Sequence, residues 1–153
     1  MDTILSVKTL PVLFLLLLFG AIMCWALTES TSEKAITYIA EVLYCEAGGE
    51  SALGVHAVAT TMINRSKLSH RSVYDVCRKP RAYYHRSLSD TEKRSIAFRV
   101  CKHYAKEAAY GRLRPLADWT HYYNPSKANP AWSKLLRNTK TIGAHRFGTL
   151  DYK

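Results

Sequence analysis

In the segment Ile36-Thr37-Tyr38-Ile39-Ala40-Glu41-Val42-Leu43-Tyr44-Cys45-Glu46-Ala47-Gly48-Gly49-Glu50, the residues Ile36, Ile39, Ala40, Leu43 and Ala47 recur at helical intervals. The spacing predicts a helix with one apolar face, and Gly48-Gly49 supplies its stop. Glu46 follows Leu43 by three residues, so its carboxylate shares the apolar face. Desolvation there favours the protonated form, which a general acid for glycosidic cleavage needs. The same position also suits a Glu that bonds a neighbouring backbone group or an arginine at a helix end. Glu41 points the opposite way and is expected in solvent. Glu50, past the glycines, can support the N-terminus of the next helix electrostatically.

Outward from this segment, Ser30 and Glu33 have the spacing of a capping box that starts the first helix. A second apolar run, Val55, Val58, Ala59, Met62 and Ile63, predicts a buried helix ending near Asn64-Arg65. Residues 66–89 show no period and predict a long exposed excursion or a small sheet region. Ser89-Asp90-Thr91-Glu92 is a further capping box, and Ala97, Cys101, Tyr104 and Ala108 continue as a stripe toward Gly111. Beyond it lies a turn-rich aromatic stretch, Trp119 to Trp132, and then a basic segment through Arg146.

At the N-terminus, Leu10 to Leu27 is an 18-residue run without a charge. Its length lies between a signal peptide's apolar core and a spanning helix, and the poor cleavage site at Cys24-Trp25-Ala26 favours a signal-anchor. The expected organisation is residues 1–27 as a signal-anchor or transmembrane segment, 28–34 as a linker and 35–153 as one domain. The domain is expected outside the cytoplasm at the inner (cytoplasmic) membrane, with release to the periplasm or cell wall as a variant.

The chain of 153 residues has a net charge of +10, and residues 1–27 hold only one acidic and one basic side chain, Asp2 and Lys8. The exported part therefore carries the whole excess, which implies an anionic partner. Outside the cytoplasm that partner is an acidic envelope polymer and not nucleic acid. In an oxidising compartment Cys77 and Cys101, which flank the excursion and the third helix, form a plausible disulfide. Cys45, late in a helix, is poorly placed to become a thiolate nucleophile. His121 and His145 lack His-x-x-x-His spacing and no Cys-x-x-Cys occurs, so neither a metal nor another cofactor is expected.

Four pieces in order, Glu46-Ala47-Gly48-Gly49-Glu50, Val58 through Asn64-Arg65, His121-Tyr122-Tyr123-Asn124-Pro125 and Thr141-Ile142-Gly143-Ala144-His145-Arg146-Phe147, resemble the cell wall hydrolase family typified by the spore cortex-lytic enzyme SleB, which has phage endolysin-like members. The likeness spans roughly residues 36–147. It implies a mainly helical α+β, lysozyme-like domain that cleaves peptidoglycan glycan strands as a lytic transglycosylase or muramidase, in wall remodelling or phage-induced host lysis. By that resemblance Glu46 is the catalytic acid/base. Glu50, Tyr122, Tyr123, Asn124 and His145 are the candidates for substrate contact. Tyr122 or Tyr123 suits core packing equally well, and Asn124-Pro125 suits a turn.

The chain departs from the family at Arg81-Ala82-Tyr83-Tyr84-His85, where an aromatic Gln-Phe-Ser-like motif is common, and at Gly148, where an aromatic is common. If the reaction is hydrolytic, a second carboxylate is needed about 5 to 9.5 Å from the first, and Asp118 is the least poor choice. The competing reading of the whole is a non-catalytic cationic module that binds the wall. The expected partners are peptidoglycan and, through residues 10–27, the membrane, with the protein a monomer.

Overall fold

The computed structural model describes residues 32–150. The chain divides into two units, Met1–Lys34 and Ala35–Lys153, and nearly all of the first lies outside the described residues. The apolar run 10–27 and the Ser30 cap fall there too. Among the described residues no helix is long and apolar enough to cross a membrane.

Helix α1 covers residues 32–47 and stops at the glycine pair, as its period predicts. Its face of Ile36, Ile39, Ala40, Leu43 and Ala47 is wholly buried. Helix α2, Ala52–Ser69, starts at Ser51, whose hydroxyl accepts the Gly54 N–H. An unbroken run from Val55 to Ile63 is buried apart from His56, so α2 is the central helix. It runs past Arg65, where the sequence suggests its end. Asn64 and Arg65 turn outward as ties to another segment while the backbone continues to His70, which leaves the helix at φ 51.

Helix α3, Val73–Arg78, lies inside the segment expected to be irregular; it is capped by Ser72 and buries Val73, Val76 and Cys77. No strand forms between residues 66 and 89. The Ser89–Glu92 capping box exists, but it opens only a short helix, α4, Asp90–Arg94. Ser95, at ψ 155, breaks the axis and caps α5, Ile96–Ala109. Helix α5 buries Phe98, Cys101, Ala105 and Ala108 on one face.

Strands β1 (His121–Tyr123), β2 (Arg137–Ile142) and β3 (His145–Thr149) make an antiparallel sheet in the order β1-β3-β2. A 3-10 turn, Ala131–Leu135, precedes β2. Tyr122 pairs with Phe147, and Phe147 is fully buried against Trp119 at 5.4 Å between ring centroids. Helix α2 is fastened to the strand entry by polar bonds. Asn64 Nδ2 donates to the Ala117 and Trp119 carbonyls at 2.8 Å each, and Arg65 Nε donates to the Thr120 carbonyl at 2.6 Å. Burial makes each of these bonds costly to lose without replacement. The molecule is thus a mainly helical α+β fold with a small sheet.

Two sequence expectations are corrected. Glu41 is buried, with Lys93 Nζ at 2.9 Å and His85 Nε2 at 3.0 Å from its carboxylate. Burial opposes ionisation, yet these two partners outweigh it and hold the Glu41 carboxyl below its ordinary range. Cys77 and Cys101 are not joined; both are free thiols, and Cys77 Sγ lies 3.7 Å from Met62 Sδ. Burial pushes each thiol up to about 12, so both behave as small apolar core groups.

Candidate active site

The end of α1, the loop after α3 and strand β1 converge on a cleft of about 860 Å³. Glu46 stands in its wall, half-buried. Both carboxylate oxygens are held: the Tyr84 backbone N–H donates to Oε1 at 2.6 Å, and the Tyr122 hydroxyl donates to Oε2 at 2.8 Å. The two donors come from segments 38 and 76 residues away in sequence. Burial first, and the Glu46 charge second, push the Tyr122 phenol well above 10, so it stays protonated and remains a donor.

Arg65, His121 and Trp132 share the cleft wall. The Arg65 guanidinium also lies 5.1 Å from the Tyr83 ring centroid, a cation–π distance. His121 is lowered to about 4 by burial and by the Arg65 charge, so its ring is neutral at physiological pH. That ring lies 5.2 Å from Trp132, which also meets Tyr123 edge-on at 5.7 Å. The cleft therefore pairs one oriented carboxylate with a half-buried indole, a combination suited to holding a sugar ring while protonating a bridging oxygen.

Of the sequence candidates, Glu46 and Tyr122 meet in the cleft. Tyr123 packs its ring against Trp132. Asn124 closes a turn, its Oδ1 accepting the Ser126 N–H at 3.0 Å and the Ser126 hydroxyl at 2.6 Å. Glu50 and His145 meet each other instead of the cleft lining, with Nδ1 and Oε1 3.3 Å apart. The Glu50 carboxylate also accepts the Ala144 N–H at 3.3 and 3.4 Å, and so ties the β2–β3 turn to the start of α2. His145 sets its ring edge-on to Tyr122 at 5.4 Å.

Asp118 lines a different cavity, beside Lys67 and Thr149, and accepts from Asn138. The second carboxylate in the cleft wall is Asp75, which accepts the Ser72 hydroxyl at 2.6 Å. Sequence reasoning passed over Asp75 and Trp132 as site residues. It also left out the Tyr84 amide, which no side-chain pattern reveals. The turn signal at Asn129-Pro130 marks the place from which Trp132 enters. Among the described residues no group of three His, Cys, Asp or Glu side chains could hold a metal ion.

A family model described as cell wall hydrolase matches residues 49–148, beginning three residues after Glu46. Two solved structures are similar. The catalytic domain of the Bacillus cereus SleB protein is 28% identical, with 76% of this chain and 91% of that one covered and a TM-score of 0.60. The catalytic domain of the germination-specific lytic transglycosylase SleB from Bacillus anthracis is also 28% identical, with 75% and 93% covered and a TM-score of 0.59. Among curated proteins none matches.

Proposed function

From the premise that this chain belongs to the cell wall hydrolase family, we propose that it cleaves the glycan strands of peptidoglycan by lytic transglycosylation, with Glu46 as acid and then base. The observation that carries this reading is the Glu46 carboxylate in the cleft wall, each oxygen fixed by one donor. Protonated Glu46 gives its proton to the glycosidic oxygen as the C1–O bond breaks, which leaves an oxocarbenium-like sugar. The carboxylate then takes the proton of that sugar's own 6-hydroxyl while O6 bonds to C1. The product is a 1,6-anhydro end, no water is consumed, and the acid is regenerated.

Tyr122 and the Tyr84 amide fix the carboxylate plane and its free lone pairs throughout, so orientation is prepared before substrate arrives. A hydrolase would need a second carboxylate to hold water. The Asp75 carboxylate is engaged by Ser72, which favours the single-carboxylate route. The similar protein from Bacillus anthracis is described as a lytic transglycosylase, and that supports the same choice.

The test is digestion of purified peptidoglycan by wild type and Glu46→Gln, with mass spectrometry of the products. Anhydro ends from wild type and a loss of about 10²- to 10⁴-fold in the variant are expected. Reducing ends would replace this mechanism by hydrolysis, and undiminished cleavage by the variant would remove Glu46. Binding of sacculi without any cleavage would leave the cationic wall-binding module. We also propose that the apolar run 10–27 holds the domain outside the cytoplasm at the inner membrane, which fractionation with protease accessibility checks.

A further inference from the structure

The Glu46 cleft is lined by four basic side chains, Arg65, Arg71, Lys79 and Arg81, against two acidic ones, Glu46 and Asp75. Both acids are engaged by hydrogen-bond donors and Arg65 by the Thr120 carbonyl. Arg71, Lys79 and Arg81 are exposed, and among the described residues none has a carboxylate within 4 Å. Elsewhere on the surface the basic groups Arg86, Lys93 and Arg112 are matched with Glu92, Glu41 and Glu107. Other exposed cations, Arg94, Lys106 and Lys127 among them, also lack a carboxylate partner among the described residues, so what sets Arg71, Lys79 and Arg81 apart is their place together in the wall of the Glu46 cleft.

The backbone supports it. Arg81 stands at φ 62, in the left-handed region that a long side chain rarely occupies, immediately after Pro80. Strain of that kind persists where the surroundings fix it, and it accumulates at ligand sites. The loop is fixed here because Ala82 N–H donates to the Lys79 carbonyl and Tyr84 N–H to Glu46. Tyr84 is three positions after Arg81, so their Cα atoms are at most about 10 Å apart. Arg81 therefore belongs to the loop that supplies a donor to Glu46, and Arg71 and Lys79 line the same cleft as that carboxylate.

We propose that Arg71, Lys79 and Arg81 form a subsite for the carboxylates of the peptide branch borne by the glycan strand, so that strands with free peptide carboxylates are the preferred substrate. This rests on the glycan-cleaving reading above. The neutral N-acetylated sugar backbone gives three unmatched cations nothing to pair with. A peptide substituent ending in carboxylates supplies compensating charges at the side of the strand.

The test compares kcat/KM on uncrosslinked strands freed of other anionic polymers, in three forms: peptide carboxylates free, the same carboxylates converted to amides, and peptide removed. Wild type is expected to favour the free-carboxylate form over the amidated one by about tenfold, the product of three exposed pairs of ordinary strength. In Arg71→Gln/Lys79→Gln/Arg81→Asn the ratio should fall to about twofold or less. Asn at position 81 tolerates the left-handed backbone.

A control that removes the same charge elsewhere, Arg94→Gln/Lys106→Gln/Lys127→Gln, should keep the wild-type ratio. Raising salt should erode that ratio in unmutated protein, a readout that does not depend on any variant folding. A wild-type ratio near one, or a ratio unchanged in the triple variant, overturns the subsite and leaves glycan cleavage standing. Equal cleavage of peptide-free and peptide-bearing strands also overturns it, because the recognised carboxylate would then be the sugar's own. Failure to cut any form refutes the glycan-cleaving reading itself.

Discussion

Replacing Gly143 by alanine tests whether the turn between β2 and β3 is built around the Glu50 carboxylate. Gly143 has φ 57, and a Cβ added there would stand 1.8 Å from Glu50 Oε2. At its other end the Glu50 side chain passes Gly54, whose Cβ would meet Glu50 Cβ at 2.7 Å. The carboxylate therefore lies in space that only glycine leaves open. Two costs follow for Gly143→Ala: about 1 to 2 kcal/mol for a left-handed alanine, and about 1 to 2 kcal/mol as the displaced carboxylate gives up Ala144 N–H and His145. The total expected is about 2 to 4 kcal/mol.

In a Glu50→Ala background the clash has no object, so Gly143→Ala should cost only the backbone share, about 1 to 2 kcal/mol. Urea unfolding of the four proteins, with equal m-values as the check on comparability, gives the coupling directly. A coupling of about 1 to 2 kcal/mol is expected. Additivity within about 0.5 kcal/mol would refute the idea that Gly143 is required by Glu50.

Tyr122→Phe removes the hydroxyl donor to Glu46 Oε2 and should lower kcat about 10- to 100-fold, or about 1 to 3 kcal/mol, without loss of the folded state; full activity would discount Tyr122 as an orienting group. Glu41→Ala should destabilise the fold by about 1 to 2 kcal/mol, below the roughly 3 to 5 kcal/mol of a fully buried pair because Lys93 and His85 are partly solvated. Since the folded Glu41 carboxyl is held below 4.5, its stabilisation is present above that pH and is lost as pH falls through the folded value; an acid titration of stability that is the same for wild type and Glu41→Gln would contradict this. His121 gives a slope of the same sign in a higher pH window. Its folded value near 4 lies below the ordinary 6.5, so the unfolded chain binds the extra proton and stability should fall between pH 6.5 and 4, by at most about 1.4 kcal/mol per unit and less for a partly solvated ring. His121→Gln should flatten that slope.

The first helix and its stop were legible because one apolar period and two glycines carry the whole signal. The stripe of α5 was legible in part: Cys101 and Ala108 are buried as expected, while Phe98 and Ala105 are fully buried and Ala97 and Tyr104 only half so. The break at Ser95 was not, since a second serine cap inside a continuous helical pattern looks like an ordinary polar residue. Helix α3 escaped because six residues, Val73–Arg78, are too few to show a period. Glu41 was misread because its two partners, Lys93 and His85, lie far along the chain, and local amphipathicity has no access to distant ions. The pairing of Cys77 with Cys101 failed for a related reason: order along the chain says nothing about which core thiol faces Met62. At the site, Glu46 and Tyr122 stood out through short motifs. The basic cleft wall did not, because Arg71, Lys79 and Arg81 flank the short helix α3 in a segment rich in other cations.

The departure at Arg81-Ala82-Tyr83-Tyr84-His85 from the family's aromatic motif acquires a physical meaning once the Glu46 bonds are known. The contribution of that segment to the carboxylate is a backbone amide, Tyr84 N–H, and any residue except proline supplies one. The exposed Tyr84 side chain is free to change while the loop keeps its path. The path is kept by Tyr83, half-buried under Arg65, and by His85, bound to Glu41, which flank the exposed Tyr84 on both sides. Arg65 in turn is anchored to Thr120 at the entry to β1, the strand that delivers Tyr122. The two donors on Glu46 are therefore tied to one another through Arg65, and a change that loosens either segment should weaken the hold on the carboxylate from both sides.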